Sequence, residues 1–202
     1  MIQLIQAKAD PTRHAVLRNM FAARKQVFVD LLGWDVPVLA GTYEVDQFDN
    51  EAARYLVITD DDGKHLASTR LLPTTRPHLL GDLFPMLCEA GVPTDRHVFE
   101  ITRFCLDRSL TAHRRRELRN ALVVALVDHA HATGIRAYSA ITGMSWFQQI
   151  LAFGWRCRPL GLPQIIQGEM LVAIEITIDA DTRPRLAAAG IVAVAPAEAL
   201  AA

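Results

Sequence analysis

At 202 residues the chain can bury one substantial hydrophobic core, and one domain is the leading expectation. Its 51% hydrophobic and 21% charged residues are an ordinary globular balance, and a net charge of −1 gives no general pull toward nucleic acid or an anionic membrane. Three widely separated cysteines, Cys88, Cys105 and Cys157, argue against a disulfide framework or a zinc-ligand spacing and fit a reduced, cytoplasmic protein. No basic region followed by a long apolar core opens the chain, so no signal peptide is expected. No apolar stretch approaches the roughly 20 residues of a membrane helix, so no membrane insertion is expected either.

In chain order, residues 2–7 alternate weakly and suit a short strand. From Pro11 to Leu32, apolar residues recur at helical spacing, with Asp10 and Pro11 fitting an N-cap and first helical position. Arg24 and Phe28 lie four apart and share a face. Residues 34–43, with Pro37 and Gly41, read as a loop. It leads into Glu44-Val45-Asp46-Gln47-Phe48-Asp49, three carboxylates within six residues. In an extended chain Glu44 and Asp46 share a face while Asp49 turns away, so a common site requires a bend near Gln47-Phe48.

Residues 53–59 and 65–71 read as a hairpin closed by Asp60-Asp61-Asp62-Gly63-Lys64, whose acids suit turn positions. A short helix is expected around 79–88, after the break at Pro73–Pro77. Residues 97–106 carry the strongest strand signal. A helix follows over 114–133 with Gly134 as its C-cap. Beyond it come a strand at 135–141, a helix at 144–153 capped by Gly154, and a final strand at 171–178. The order predicts a three-layer α/β protein with a mixed sheet, one domain over 1–185, and an Ala-rich tail over 186–202 that is frayed or only locally helical.

Several chemistries fail on the residues themselves. Gly143-Met144-Ser145-Trp146-Phe147 lacks the closing glycine of a nucleophile elbow, which leaves Ser145 as an early-helix residue. No phosphate-binding P-loop or dinucleotide fingerprint is present. What remains is a set of single arginines, Arg24, Arg70 and Arg103, in apolar surroundings, and Glu100 in a strand. Unpaired buried charges are costly, so these groups and the acidic stretch should meet in the fold. The residues alone leave open whether they form a polar site or only an ion-pair network. In a regular strand Glu100 and Arg103 diverge, so a shared site demands a bulge or strong twist.

The series Arg24…Phe28, Trp34, Glu44…Asp46…Asp49, Arg70-Leu71…Pro73, Phe84 and Glu100…Arg103 resembles the signature of the LuxI-type acyl-homoserine-lactone synthases, the autoinducer synthases of bacterial quorum sensing. The resemblance implies a GNAT-like fold, with a mixed, V-split central sheet flanked by helices. It also implies synthesis of a lactone signal from S-adenosylmethionine and an acyl thioester on acyl carrier protein or coenzyme A, with methylthioadenosine released. Under it, Glu100 is the catalytic base, and Arg24, Phe28, Trp34, Asp46 and Arg103 line the S-adenosylmethionine site. Glu44, Asp49 and Arg70 form an ion-pair frame. Thr102, Phe104, Leu122, Thr142, Met144, Trp146 and Phe147 are candidates for the acyl pocket. No cofactor or metal is implied, since S-adenosylmethionine is consumed as a substrate. The rival readings are a GNAT-type N-acyltransferase using acyl-CoA and another amine, and a non-catalytic regulator binding the same ligands. Against the first, residues 107–113 contain no glycine where such enzymes carry a pyrophosphate loop.

Overall fold

A computed structural model describes residues 1–6 and 14–193. The central sheet has eight strands among those residues. β1 (Ile2–Gln6) lies at one edge and pairs antiparallel with β4 (Arg54–Thr59), which pairs with β5 (His65–Pro73). The β4–β5 turn is the expected hairpin. Asp60 Oδ1 accepts from the amides of Asp62 and Lys64, and Gly63 takes the left-handed conformation at φ 78°. Strand β6 (Val98–Leu106) adds antiparallel to β5 and then runs parallel to β7 (Ala137–Gly143). A parallel pair needs a crossover, and α3 (Ala112–Thr133) provides it, capped by Thr111 at one end and by Gly134 at φ 72° at the other.

The parallel pairing covers only Val98–Ile101 against Ala137–Ala140. Both strands continue beyond it unpaired with each other, which opens the sheet into a V. On the far side β10 (Glu169–Thr177) pairs with β7, β8 (Arg156–Pro159) and β9 (Gln164–Ile166), all antiparallel.

Both faces of the sheet are covered, so β4 is apolar on each side rather than alternating. Tyr55 and Val57 join Leu17, Met20 and Phe21 of α1 (Ala15–Arg24), while Leu56 and Ile58 face Leu122, Leu126 and Val127 of α3. These are the three layers expected. Helix α4 (Met144–Leu151) lies on the α3 side, where Ile150 is buried.

The local structure departs from or adds to these expectations in four places. The loop over 34–43 contains a ribbon, β2 (Val38–Leu39) with β3 (Tyr43–Glu44), turned by Ala40 and Gly41 at positive φ. The helix expected over 79–88 is two pieces, α2 (Leu79–Asp82) and a 3-10 turn at Pro85–Leu87, because proline supplies no amide to continue a helix. Strands β8 and β9 are short and mostly exposed, with too little apolar pattern to read. The strand at 169–177 is followed by α5 (Thr182–Ala188), which crosses the boundary expected at 185; Leu186 and Ile191 are buried in the α3-side core. The proposed start of the first helix at Asp10-Pro11 lies outside the described residues.

Candidate active site

After Arg24 the first helix widens into a π-helical segment, Lys25–Leu31, in which Leu32 N–H donates to Val27 O, five residues back. Phe28 projects from this wider turn, buried, and stacks on Trp34 with ring centroids 4.7 Å apart and planes 18° from parallel. Arg24 leaves the end of the regular helix on the side facing the acidic stretch.

That stretch is bent as its side chains require. Glu44 ends the β2–β3 ribbon, and Asp46–Asp49 forms a turn in which Asp49 N–H donates to Asp46 O at 3.0 Å. The Asp46 carboxylate caps the turn by accepting from Phe48 N–H at 2.9 Å, and Asp49 Oδ2 accepts from Asp46 N–H at 2.9 Å. Phe48 anchors it in the α1-side core. All three carboxylates thereby converge.

Three guanidinium groups meet them. Arg24 is wholly buried; its Nε donates to Glu44 at 2.5 Å, and its two terminal nitrogens grip Asp49 at 2.8 and 2.9 Å. Arg70 holds Asp46 in the same two-pronged way at 2.6 and 3.0 Å, lies 2.8 Å from Asp49, and donates from Nε to Thr102 Oγ1 at 2.9 Å. Arg103 bridges Glu44 at 3.0 Å and Asp46 at 2.9 Å. Tyr55 adds a hydroxyl donated to Asp49 at 2.8 Å. Three cations thus face three anions with paired, charge-assisted bonds, the geometry in which buried charge is tolerated.

Arg103 reaches this cluster only because β6 carries a bulge. Ser68 pairs with Cys105 but Arg70 pairs with Thr102, so β6 has one extra residue between the two pairs. Arg103 itself is left-handed at φ 52°, and Thr69 Oγ1 donates to the Thr102 carbonyl at the irregularity. The bulge turns Arg103 to the face of Glu100 and Thr102 and sends Phe104 to the α3 side. Glu100 and Arg103 therefore share a face, as a common site demands.

Burial alone would raise the carboxylates, yet the guanidinium of Arg24, supported by Arg103, holds Glu44 below the usual range. The same competition, won by Arg24 and Arg70, holds Asp49 far below it. Glu100 goes the other way. It lies behind the cluster, and burial pushes its carboxyl up to about 7 against the opposing Leu80 amide, Arg70 and Arg103. Its Oε1 accepts from Leu80 N–H, at the start of α2, at 3.0 Å.

The frame opens to solvent at one edge. The side chains of Arg103 and Asp46 retain 7% and 9% exposure beside the Phe28–Trp34 stack, and the Arg103 guanidinium carbon sits 5.7 and 5.8 Å from those two rings. Its Nη1 takes no part in the bonds to Glu44 and Asp46.

Of the residues expected at the S-adenosylmethionine wall, Phe28, Trp34, Asp46 and Arg103 lie together at this edge. Arg24 does not: its guanidinium is spent on Glu44 and Asp49 with no exposure, so it stands inside the frame. Among the acyl-pocket candidates, Phe104 and Trp146 meet with centroids 5.7 Å apart, and Met144 and Phe147 pack on the same core as the buried Leu122. Thr142 is buried near the end of β7. Thr102 is separated from them, on the opposite face, where its hydroxyl accepts from Arg70. Sequence reasoning missed Tyr55 and the Leu80 amide. A tyrosine inside an apolar strand was a signal that its hydroxyl needed a buried partner.

A mixed sheet split beside its crossover helix, with helices on both faces, is the GNAT-like fold. A putative N-acetyltransferase from Lactobacillus plantarum shares that fold at 17% identity and a TM-score of 0.54, over 88% of this chain and 99% of that one. The chain belongs to the autoinducer synthase family, which it matches over residues 9–186. An acyl-homoserine-lactone synthase of Ralstonia nicotianae is 36% identical over 166 residues, 79% of this chain and 80% of that protein. BjaI, a CoA-dependent acyl-homoserine lactone synthase solved with S-adenosylmethionine and isopentyl-CoA, superposes with a TM-score of 0.83 at 28% identity, over 94% of this chain and 89% of that one.

Proposed function

We propose that Glu100 is the general base of an acyl-homoserine-lactone synthase, and that the charged frame exists to hold its substrate edge in place. The enzyme joins S-adenosylmethionine to an acyl group delivered on acyl carrier protein or coenzyme A and releases methylthioadenosine. The amine nitrogen attacks the thioester carbon, the C–N bond forms as the C–S bond breaks, and the thiolate leaves. The proton lost by the amine goes to Glu100. The substrate carboxylate then displaces neutral methylthioadenosine from the sulfonium, closing the lactone. The observation that carries this reading is a completely buried carboxyl, pushed up toward neutrality by that burial, on the same strand face as Arg103, three residues on; a base must both accept and release a proton.

Arg103 Nη1 suits the substrate carboxylate, and the Phe28–Trp34 pair with Asp46 suits the cationic sulfonium. Arg24, Glu44, Asp49 and Arg70 hold those groups from behind. Phe104, Met144, Trp146 and Phe147, with Thr142, supply an apolar wall for the acyl chain. The N-acyltransferase alternative is disfavoured by the β6–α3 junction, where Asp107 closes the turn by accepting from Ser109 N–H and the glycines of the loop that such enzymes carry there are missing.

Incubation with S-adenosylmethionine and a panel of acyl-carrier and acyl-CoA donors should yield lactone by mass spectrometry. Methylthioadenosine without lactone, or no turnover with any donor, would sink the reading. Trp34→Ala should raise KM for S-adenosylmethionine about tenfold, the scale of a lost cation–π contact. Its melting temperature should barely move, because Trp34 is 37% exposed.

A further inference from the structure

Two buried oxygens on neighbouring strands have no protein partner. Glu100 Oε2 is shielded from solvent and bonded to no group of the described protein, and Ser139 Oγ is in the same condition. Both residues are completely buried. They stand opposite each other in the parallel register of β6 and β7, one pair before that pairing ends. The flanking pairs, Phe99 with Tyr138 and Ile101 with Ala140, point into the α3-side core, so Glu100 and Ser139 both point to the other face.

A hydroxyl and a carboxylate oxygen on register-paired residues of one sheet face are each shut off from solvent and short of a bond. A buried water gains two or more bonds in such a place, and interiors satisfy buried polar atoms in this way. We infer that Ser139 is a positioning residue for the base: its hydroxyl and Glu100 Oε2 together hold one water through which the amine's proton reaches the carboxylate. The inference rests on Glu100 being the base. Complete burial keeps the substrate amine from touching Glu100 directly, and a relay removes that difficulty. The amine proton passes to the water oxygen while a water proton passes to Oε2. The water is regenerated, and Ser139 keeps its own proton.

The other groups facing the carboxyl are Arg70 from β5, Arg103 from β6, Cys88 after the 3-10 turn, and the Leu79 and Leu80 amides of α2. None of them bonds Oε2. Ser139 is the neighbour in register with a hydroxyl to give.

A high-resolution crystal structure of the wild-type protein should show an ordered water bonded to both oxygens, and Ser139→Ala should lose it. The alanine variant should fold normally, with kcat down about tenfold, the factor of one lost hydrogen bond to a charged group. KM for S-adenosylmethionine should hold steady, and the acid limb of the pH profile should move upward. A wild-type structure without that water, or an alanine variant with unchanged kcat and pH profile, overturns the inference. A wild-type chain that makes no lactone would instead defeat the proposed function, since the water is sought without turnover.

Discussion

Glu100→Gln should lower kcat roughly 10²- to 10⁴-fold, the usual contribution of a positioned general base, while the protein remains folded. Stability supplies the control. The Glu100 carboxyl sits at about 7 in the fold, above its ordinary value of 4.5, so the folded state holds its proton more tightly than the unfolded chain. That contribution is fully present below the ordinary value and is lost as pH rises through 7, when a buried charge forms. Glutamine never ionises. The variant should therefore match the wild type in urea melts at pH 4 and gain on it at pH 8. The wild-type acid limb in kcat/KM should fall near pH 7. A variant that loses its fold, or one that keeps its turnover, would return Glu100 to the structural frame.

Asp49→Ala is the second large effect, and it acts on folding. Asp49 receives two bonds from Arg24, one from Tyr55 and a close approach from Arg70, all in the interior. Its removal leaves three buried guanidinium groups facing two carboxylates. Breaking a buried pair in this way costs about 3–5 kcal/mol. For a domain of this size that lowers the melting temperature by roughly 6–20 °C. The pH dependence has the opposite sign to that of Glu100. A depressed carboxyl contributes stability above its ordinary range and loses it only as pH falls toward the folded value, so the deficit should be constant from pH 5 to 9 and narrow in acid. A thermal melt within a degree or two of wild type would show that the ion network is not what holds the site.

Much of the fold was legible because its elements carry strong local signals. The long crossover helix has its capping threonine and terminal glycine, and the β4–β5 turn has its Asp60 and Gly63. The site was legible at one remove: arginines and acids in apolar surroundings must meet, and a bend at Gln47-Phe48 and a bulge before Arg103 were the backbone conditions for it. Both conditions are met. What stayed hidden depends on tertiary context. The widening of the first helix at Lys25 has no residue signature, and the ribbon at Val38–Glu44 is two residues per strand. The burial of Arg24 follows from how many partners surround it, which spacing does not reveal. The separation of Thr102 from Phe104 comes from the bulge itself, since a regular strand would have put them on one face.

That extra residue in β6 has a consequence for how the two substrates are kept in register. Glu100, Arg103 and Phe104 are borne on five successive residues of one strand, yet they serve the proton, the sulfonium-bearing amino acid and the acyl chain respectively in the proposed reaction. Their relative positions are therefore fixed by covalent geometry and not by the docking of separate parts. Were the strand regular there with every residue kept, the occupants of the two faces would exchange, aiming Arg103 at the apolar core and Phe104 at the carboxylates. Alignment of nucleophile, base and thioester is in that sense a property of the backbone, present before either substrate arrives.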